Sequence, residues 1–211
     1  MVIQNYNLLN VGVGGQGVIR AIQILSWAAL QEGYKVRTAE THGMAQRGGS
    51  VASYLRFGTN IEGPLISRGK TNVILAFEAS EAVRNFNYAG PQTHLIINEK
   101  IIIPPMIHQQ GLEYPNIDQI HDFLSAVSKN IYFIPADEIA LKAGNHRAMN
   151  VVMLGVLVGI NQIPIKKETI YNSIMKFVPK KTIKVNKMAF ELGLEKGKLI
   201  NGGLSEKAKI C

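Results

Sequence analysis

Apolar positions along this chain fall into two rhythms that alternate from the N-terminus onward. Asn7–Val13 is a short apolar run ending in glycines, whereas Val18–Gln31 is apolar nearly all round. The lengths predict a buried strand feeding a buried helix, with Gly33 as its stop. Lys35–Glu40 reads as a second strand. Ser50–Phe57 alternates through Val51, Ser53, Leu55 and Phe57, as a half-buried strand does, and Gly58–Asn60 turns it. Further strands are predicted over Asn72–Phe77, Thr93–Asn98 and Ile131–Pro135. Ile101–Ile103 reads as an edge segment ended by Pro104 and Pro105. Helices are predicted near Ser80–Phe86 and over Ile117–Val127, Glu138–Ala143, Asn150–Ile160, Lys167–Phe177 and Lys187–Leu194. Strand and helix alternate and several strands are apolar without interruption. That pattern predicts an α/β fold: a three-layer α/β/α sandwich on a mainly parallel sheet, followed by a helical C-terminal segment. No internal repeat interrupts it.

Composition sharpens this picture. A chain of 211 residues with 46% hydrophobic content can fill a sizeable core. Its longest apolar run, Val151–Ile160, is about half of the roughly 20 residues a membrane span requires, so a soluble, cytoplasmic protein is expected. Net charge is unevenly placed. Residues 1–162 carry +1, whereas residues 163–211, with 11 lysines against 4 glutamates, carry +7. The expected division is therefore an α/β core over 1–162 and a lysine-rich helical segment over 163–211 packed on the same domain. That segment lacks the interleaved aromatics and arginines that read nucleic acid. It reads as a solvated helical face or a contact for an acidic protein, and neither nucleic acid nor membrane is expected as a partner.

Chemistry is constrained first by what is missing. The one cysteine, Cys211, excludes a disulfide framework and a thiolate zinc site, and it cannot supply the four ligands of an iron–sulfur cluster. His42, His94, His108, His121 and His146 are scattered without an i, i+4 pair, so no metal site is predicted.

Two glycine-rich stretches remain. GVGGQG, from Gly12 through Gly14, Gly15 and Gln16 to Gly17, has the G-x-G-x-x-G spacing between a strand and a helix. Such a Rossmann-like loop lets the backbone approach a phosphate at a helix N-terminus. Glu40 stands where a ribose-binding acid would be expected. A tight strand–helix turn with no ligand fits the same residues. The second stretch, ETHGMAQRGGS at 40–50, places His42, Gly43, Gln46, Arg47, Gly48 and Gly49 around a guanidinium suited to gripping carboxylate or phosphate. A structural ion pair would use Arg47 equally well. If both loops follow neighbouring parallel strands, they should converge on one anion. SRGKT at 67–71 is not a P-loop, because Gly63 and Gly69 are separated by five residues and a strand follows. Asn145, Arg147 and Asn150 lead into an apolar helix, with Asn145 a plain N-cap candidate.

Taken together, GVGGQGV, AETHGMAQRGGSV and AGNHRAMNVVMLGVL, in order over about residues 5–195, resemble the gamma domain of 2-oxoacid:ferredoxin oxidoreductases. Within that family the chain is most similar to small subunits acting on indolepyruvate. The resemblance implies a cluster-free subunit that is inactive alone. Its large alpha partner would carry thiamine diphosphate, Mg and 4Fe-4S clusters. Arylpyruvate and CoA would be the substrates and ferredoxin the electron acceptor. By the same resemblance, Gly12–Gly17 and Glu40–Gly49 would face the shared active site or the CoA phosphates. A gamma subunit acting on pyruvate or 2-oxoisovalerate, and a stand-alone NAD(P)-binding protein, remain open alternatives.

Overall fold

The computed structural model describes residues 3–42, 48–103 and 113–203. Its strands are β1 (Tyr6–Val13), β2 (Lys35–His42), β3 (Ser50–Gly58), β4 (Val73–Ala76), β5 (His94–Asn98) and β6 (Ile131–Ile134). They form one sheet in the order β2-β3-β1-β4-β5-β6. The ladders β1–β4, β4–β5 and β5–β6 are parallel, and β3 runs antiparallel to both of its neighbours. Every residue of β1 and β4 is buried, which explains why β4 reads as an unbroken apolar run and β1, despite Asn7 and Asn10, as a mainly apolar one.

Helices cover both faces. On one face lie α1 (Val18–Gln31), α4 (Ala136–Lys142), α5 (Met149–Gly159), α6 (Lys167–Phe177) and α7 (Ile183–Asn201), packed on Leu8, Leu55, Phe57, Leu75 and Ile96. On the other, α2 (Ala79–Arg84) and α3 (Ile117–Ser125) pack on Leu9, Val11, Ile74, Leu95 and Ile97. Alternate residues of each strand thus feed opposite cores, and the three-layer α/β/α architecture stands.

Three local expectations change. First, β3 is buried on both faces rather than half-buried, because its alternate residues feed both cores. Its Ser53 is wholly buried. Second, Ile101–Ile103 is not a strand. Its backbone turns instead to the start of α2, where Ala79 N–H donates to Lys100 C=O at 3.0 Å and Ile102 N–H donates to the Glu78 carboxylate at 3.0 Å. Pro104 and Pro105 lie outside the described residues. Third, α7 runs well past Lys187–Leu194 at both ends, since the Lys- and Glu-rich flanks favour helix and its glycines serve packing.

Those glycines form the C-terminal seam. A Cβ added at Gly193 would stand 2.2 Å from Val152 O, and one at Gly155 would stand 2.4 Å from Phe190 O. The two helices therefore meet backbone to backbone along Gly155, Gly159, Gly193 and Gly197. This contact, not a capping signal, explains glycine inside helices where it costs about 1 kcal/mol relative to alanine.

Candidate functional site

The chain leaves β1 toward α1 on one face of the sheet, and leaves β4 toward α2 on the other. The carboxyl ends of these two parallel neighbours therefore open a crevice at a topological switch point, the usual place for a ligand in such sheets. Gln16 spans it. Its Oε1 accepts from Val13 N–H at 2.7 Å and its Nε2 donates to Phe77 C=O at 2.8 Å, tying the end of β1 to the end of β4. Both polar ends of its amide are thus engaged by backbone, so Gln16 shapes the crevice rather than offering its side chain to a ligand. Gly12 lies within β1, and a Cβ there would come within 2.9 Å of Phe77 Cβ and closer still to Gln16 and Val18. It is glycine for packing.

Gly15 and Gly17 have φ of +103° and +84°, backbone that L side chains rarely adopt. Gly17 is the N-cap of α1, with no side-chain cap and no acidic residue in the first turn, so the amides there keep their partial positive charge. Gly15, Gln16 and Gly17 form one wall of a cavity of about 330 Å³. Its other walls carry Lys100 after β5, Asp137 at the start of α4, and His146, Arg147 and Met149. Asn98 braces this floor by donating to Phe77 C=O at 3.0 Å and to the Asp137 carboxylate at 2.8 Å. The arrangement can hold an anion between helix amides and the two cations Lys100 and Arg147.

The second glycine loop meets the first, though not by the expected route. The strands β1 and β2 are not neighbours; β3 lies between them. The stretch at 40–50 is a hairpin connection between antiparallel strands, and β1 and β2 point the same way because each is antiparallel to β3. Convergence still follows. Gly14 N–H donates to Gly49 C=O at 2.9 Å, and Val51 helps line a cavity of about 260 Å³ with Gly14, Gly15 and Gly17. Gly48 has φ of +76°. His42 ends β2 opposite Val51. Gly43, Gln46 and Arg47 lie outside the described residues. Glu40 is not brought to the Gly15–Gly17 cavity: with β3 inserted it sits on the edge strand, lining a separate hollow with Gln23, Ser26 and Trp27 of α1.

Two buried carboxylates support the loops from below. Glu81 accepts a hydrogen bond from Ser50 Oγ, just past the second loop, and pairs with Arg84 at 3.2 Å. Glu78 caps α2 by accepting from Glu81 N–H at 3.0 Å. Burial raises the pKa of both, against the lowering effect of these hydrogen bonds. Neither residue stood out in the sequence, nor did Lys100, Asp137 or Met149. Asn145 caps the short 3-10 turn at His146–Ala148, accepting from Arg147 N–H at 2.9 Å, and so presents Arg147 before α5 begins.

A family model described as pyruvate ferredoxin/flavodoxin oxidoreductase matches residues 7–196, and so contains both glycine loops and the Asn145–Asn150 turn. The chain belongs to the pyruvate ferredoxin/flavodoxin oxidoreductase family. Among its members, indolepyruvate oxidoreductase subunit IorB of Thermococcus kodakarensis is 41% identical over 201 residues, covering 95% of this chain and 100% of that protein. The subunit of the same name from Pyrococcus horikoshii is 39% identical, covering 93% of this chain and 98% of that protein. The fold matches the gamma subunit of a keto/oxoacid ferredoxin oxidoreductase from Geobacter sulfurreducens with a TM-score of 0.68 at 20% identity, covering 92% of this chain and 98% of that one. Members of the family are oxidoreductases, and among the described residues no helix is long and apolar enough to cross a membrane.

Proposed function

We propose that this chain is the small, cluster-free subunit of a cytoplasmic indolepyruvate:ferredoxin oxidoreductase. The observation that carries this reading is the end-to-end match, at 41% identity, to an indolepyruvate oxidoreductase subunit. The complex would convert an arylpyruvate and CoA into an arylacetyl-CoA and CO2, passing two electrons to ferredoxin. Thiamine diphosphate with Mg and the 4Fe-4S clusters, held by a large partner subunit, would supply the carbanion chemistry and the electron path. A single cysteine in this chain leaves the cluster ligands to that partner.

The part played by this chain is electrostatic and positional. Gly15–Gly17 let an anionic group, a CoA phosphate or the 2-oxoacid carboxylate, approach the α1 amides, while Lys100 and Arg147 neutralise it. Gln16 holds the crevice open at fixed width. The Gly14–Gly49 hydrogen bond joins the end of the second loop to the same edge.

Co-expression with a cysteine-rich large subunit encoded beside it tests the reading. The pair should reduce ferredoxin with indolepyruvate only when CoA is present, and this chain alone should be inactive. Lys100→Gln should raise the KM for CoA or the 2-oxoacid about ten- to a hundredfold, as expected for a lost charge-assisted contact. Turnover of NAD(P)H by the pure chain, or preference of the pair for pyruvate or 2-oxoisovalerate, would overturn it.

A further inference from the structure

A second cavity, of about 430 Å³, shares Arg147 with the first and lies where α1, the turn before α5 and the α6–α7 corner meet. Arg20, Arg147 and Lys181 reach it from these three places, and no carboxylate lines it. None of the three cations is in an ion pair among the described residues. All three residues are exposed to solvent, and like charges gathered around one hollow make a local positive potential that favours an anion there.

The decisive observation is Asn150. The residue as a whole is 9% exposed, lines this cavity and makes no side-chain hydrogen bond among the described residues. The amide is not sealed from solvent, so it opens onto the hollow as a donor available to an anion beside the cations. The remaining lining is apolar, with Phe177, Val178 and Val185 opposite the charges. The volume exceeds what a bare oxyanion needs and has room for an organic group beside it.

We infer that this cavity is a second ligand site, distinct from the Gly15–Gly17 crevice, for a small organic phosphate. Arg20 and Lys181 bind the phosphate, Asn150 donates an amide hydrogen to it, and the organic part lies on Phe177. Asn150 also abuts Gly17, whose added Cβ would stand 2.8 Å from Asn150 Nδ2. Occupancy would therefore be felt at the glycine loop.

Phenyl phosphate is a suitable probe, titrated into the 15N-labelled full chain, with inorganic phosphate and phenol as the arms that separate charge from ring. Trp27, the single tryptophan, packs edge-on against Phe177 at 6.4 Å, so its indole N–H reports on the apolar wall. Phenyl phosphate should shift the Asn150 side-chain amide and the Trp27 indole together and saturably. Inorganic phosphate should bind more weakly, and phenol should not saturate. Changing both Arg20→Gln and Lys181→Gln, exposed positions that leave packing intact, should weaken binding about tenfold or more. Lys100→Gln, which belongs to the first cavity, should leave it unchanged. Binding that survives the double change, is lost with Lys100→Gln, or moves only Gly15–Gly17 resonances would overturn this inference while leaving the function proposed above standing. Absence of saturable binding by any probe would overturn it as well.

Discussion

Gly15 and Gly17 show how two residues of one loop can be glycine for different reasons. Both have positive φ, but a Cβ at Gly15 would meet nothing within 4 Å, whereas one at Gly17 would strike the Asn150 amide at 2.8 Å. Gly15→Ala should therefore cost only backbone strain, about 1 kcal/mol. Gly17→Ala adds displacement of the Asn150 side chain at the start of α5, and should cost about 2–3 kcal/mol. Urea unfolding of both variants measures the difference, and equal losses would show that the Asn150 contact is soft. Gln16 carries a comparable lesson. Its place in a G-x-G-x-x-G loop suggested a ligand contact, yet its amide is consumed in joining β1 to β4.

At the scale of elements, the contact between α5 and α7 inverts an ordinary expectation. Gly→Ala inside a helix normally stabilises by up to about 1 kcal/mol. Here a Cβ at Gly155 would lie 2.4 Å from Phe190 O and 2.8 Å from Leu194 N, both backbone atoms that cannot swing aside. Gly155→Ala should force the helices apart and lower stability by about 2–4 kcal/mol, read as a fall in Tm, with Gly193→Ala alike. A rise in Tm would mean that the seam can widen freely. The hairpin of β2 and β3 is the other element-level result. Periodicity identified both strands, but it does not say which way a strand runs, so the insertion of β3 between β1 and β2 was not legible.

Across the whole molecule, stability couples to pH through carboxylates enclosed between the sheet and α2. Glu81 is 4% exposed, near the buried Glu78 and the Arg84 guanidinium, and burial raises its pKa. A carboxyl group whose folded pKa lies above its unfolded value binds its proton more tightly in the folded state. Its contribution is favourable at low pH and is lost as pH rises from the ordinary carboxylate value through the raised one. Glu81→Gln stays neutral and keeps an acceptor for Ser50. Relative to the parent, the variant should gain stability as pH rises through that window and level off above it. Denaturation series at several pH values test the sign, and a gain confined to acid would reverse the assignment.

The chain by itself determined its elements and its layers. Predominantly apolar runs such as Asn7–Val13 and Val151–Ile160 point to buried strands or buried helices, and their lengths decide between the two. It also marked the crevice in part, since a G-x-G-x-x-G loop between strand and helix leaves glycine backbone and helix amides at a strand end. Tertiary structure alone decided what else reaches that crevice. Lys100 and Asp137 are ordinary charged residues after separate strands, and nothing in their neighbours along the chain distinguishes them from other surface charges. They meet Gly15 and Gly17 because parallel strands direct all their carboxyl ends to one edge. Glu40, suited to a ribose by its spacing, is set two strands aside from the crevice by the inserted β3. Spacing along the chain fixes which groups can be near one another only within a turn or a hairpin; across the sheet, strand order fixes it.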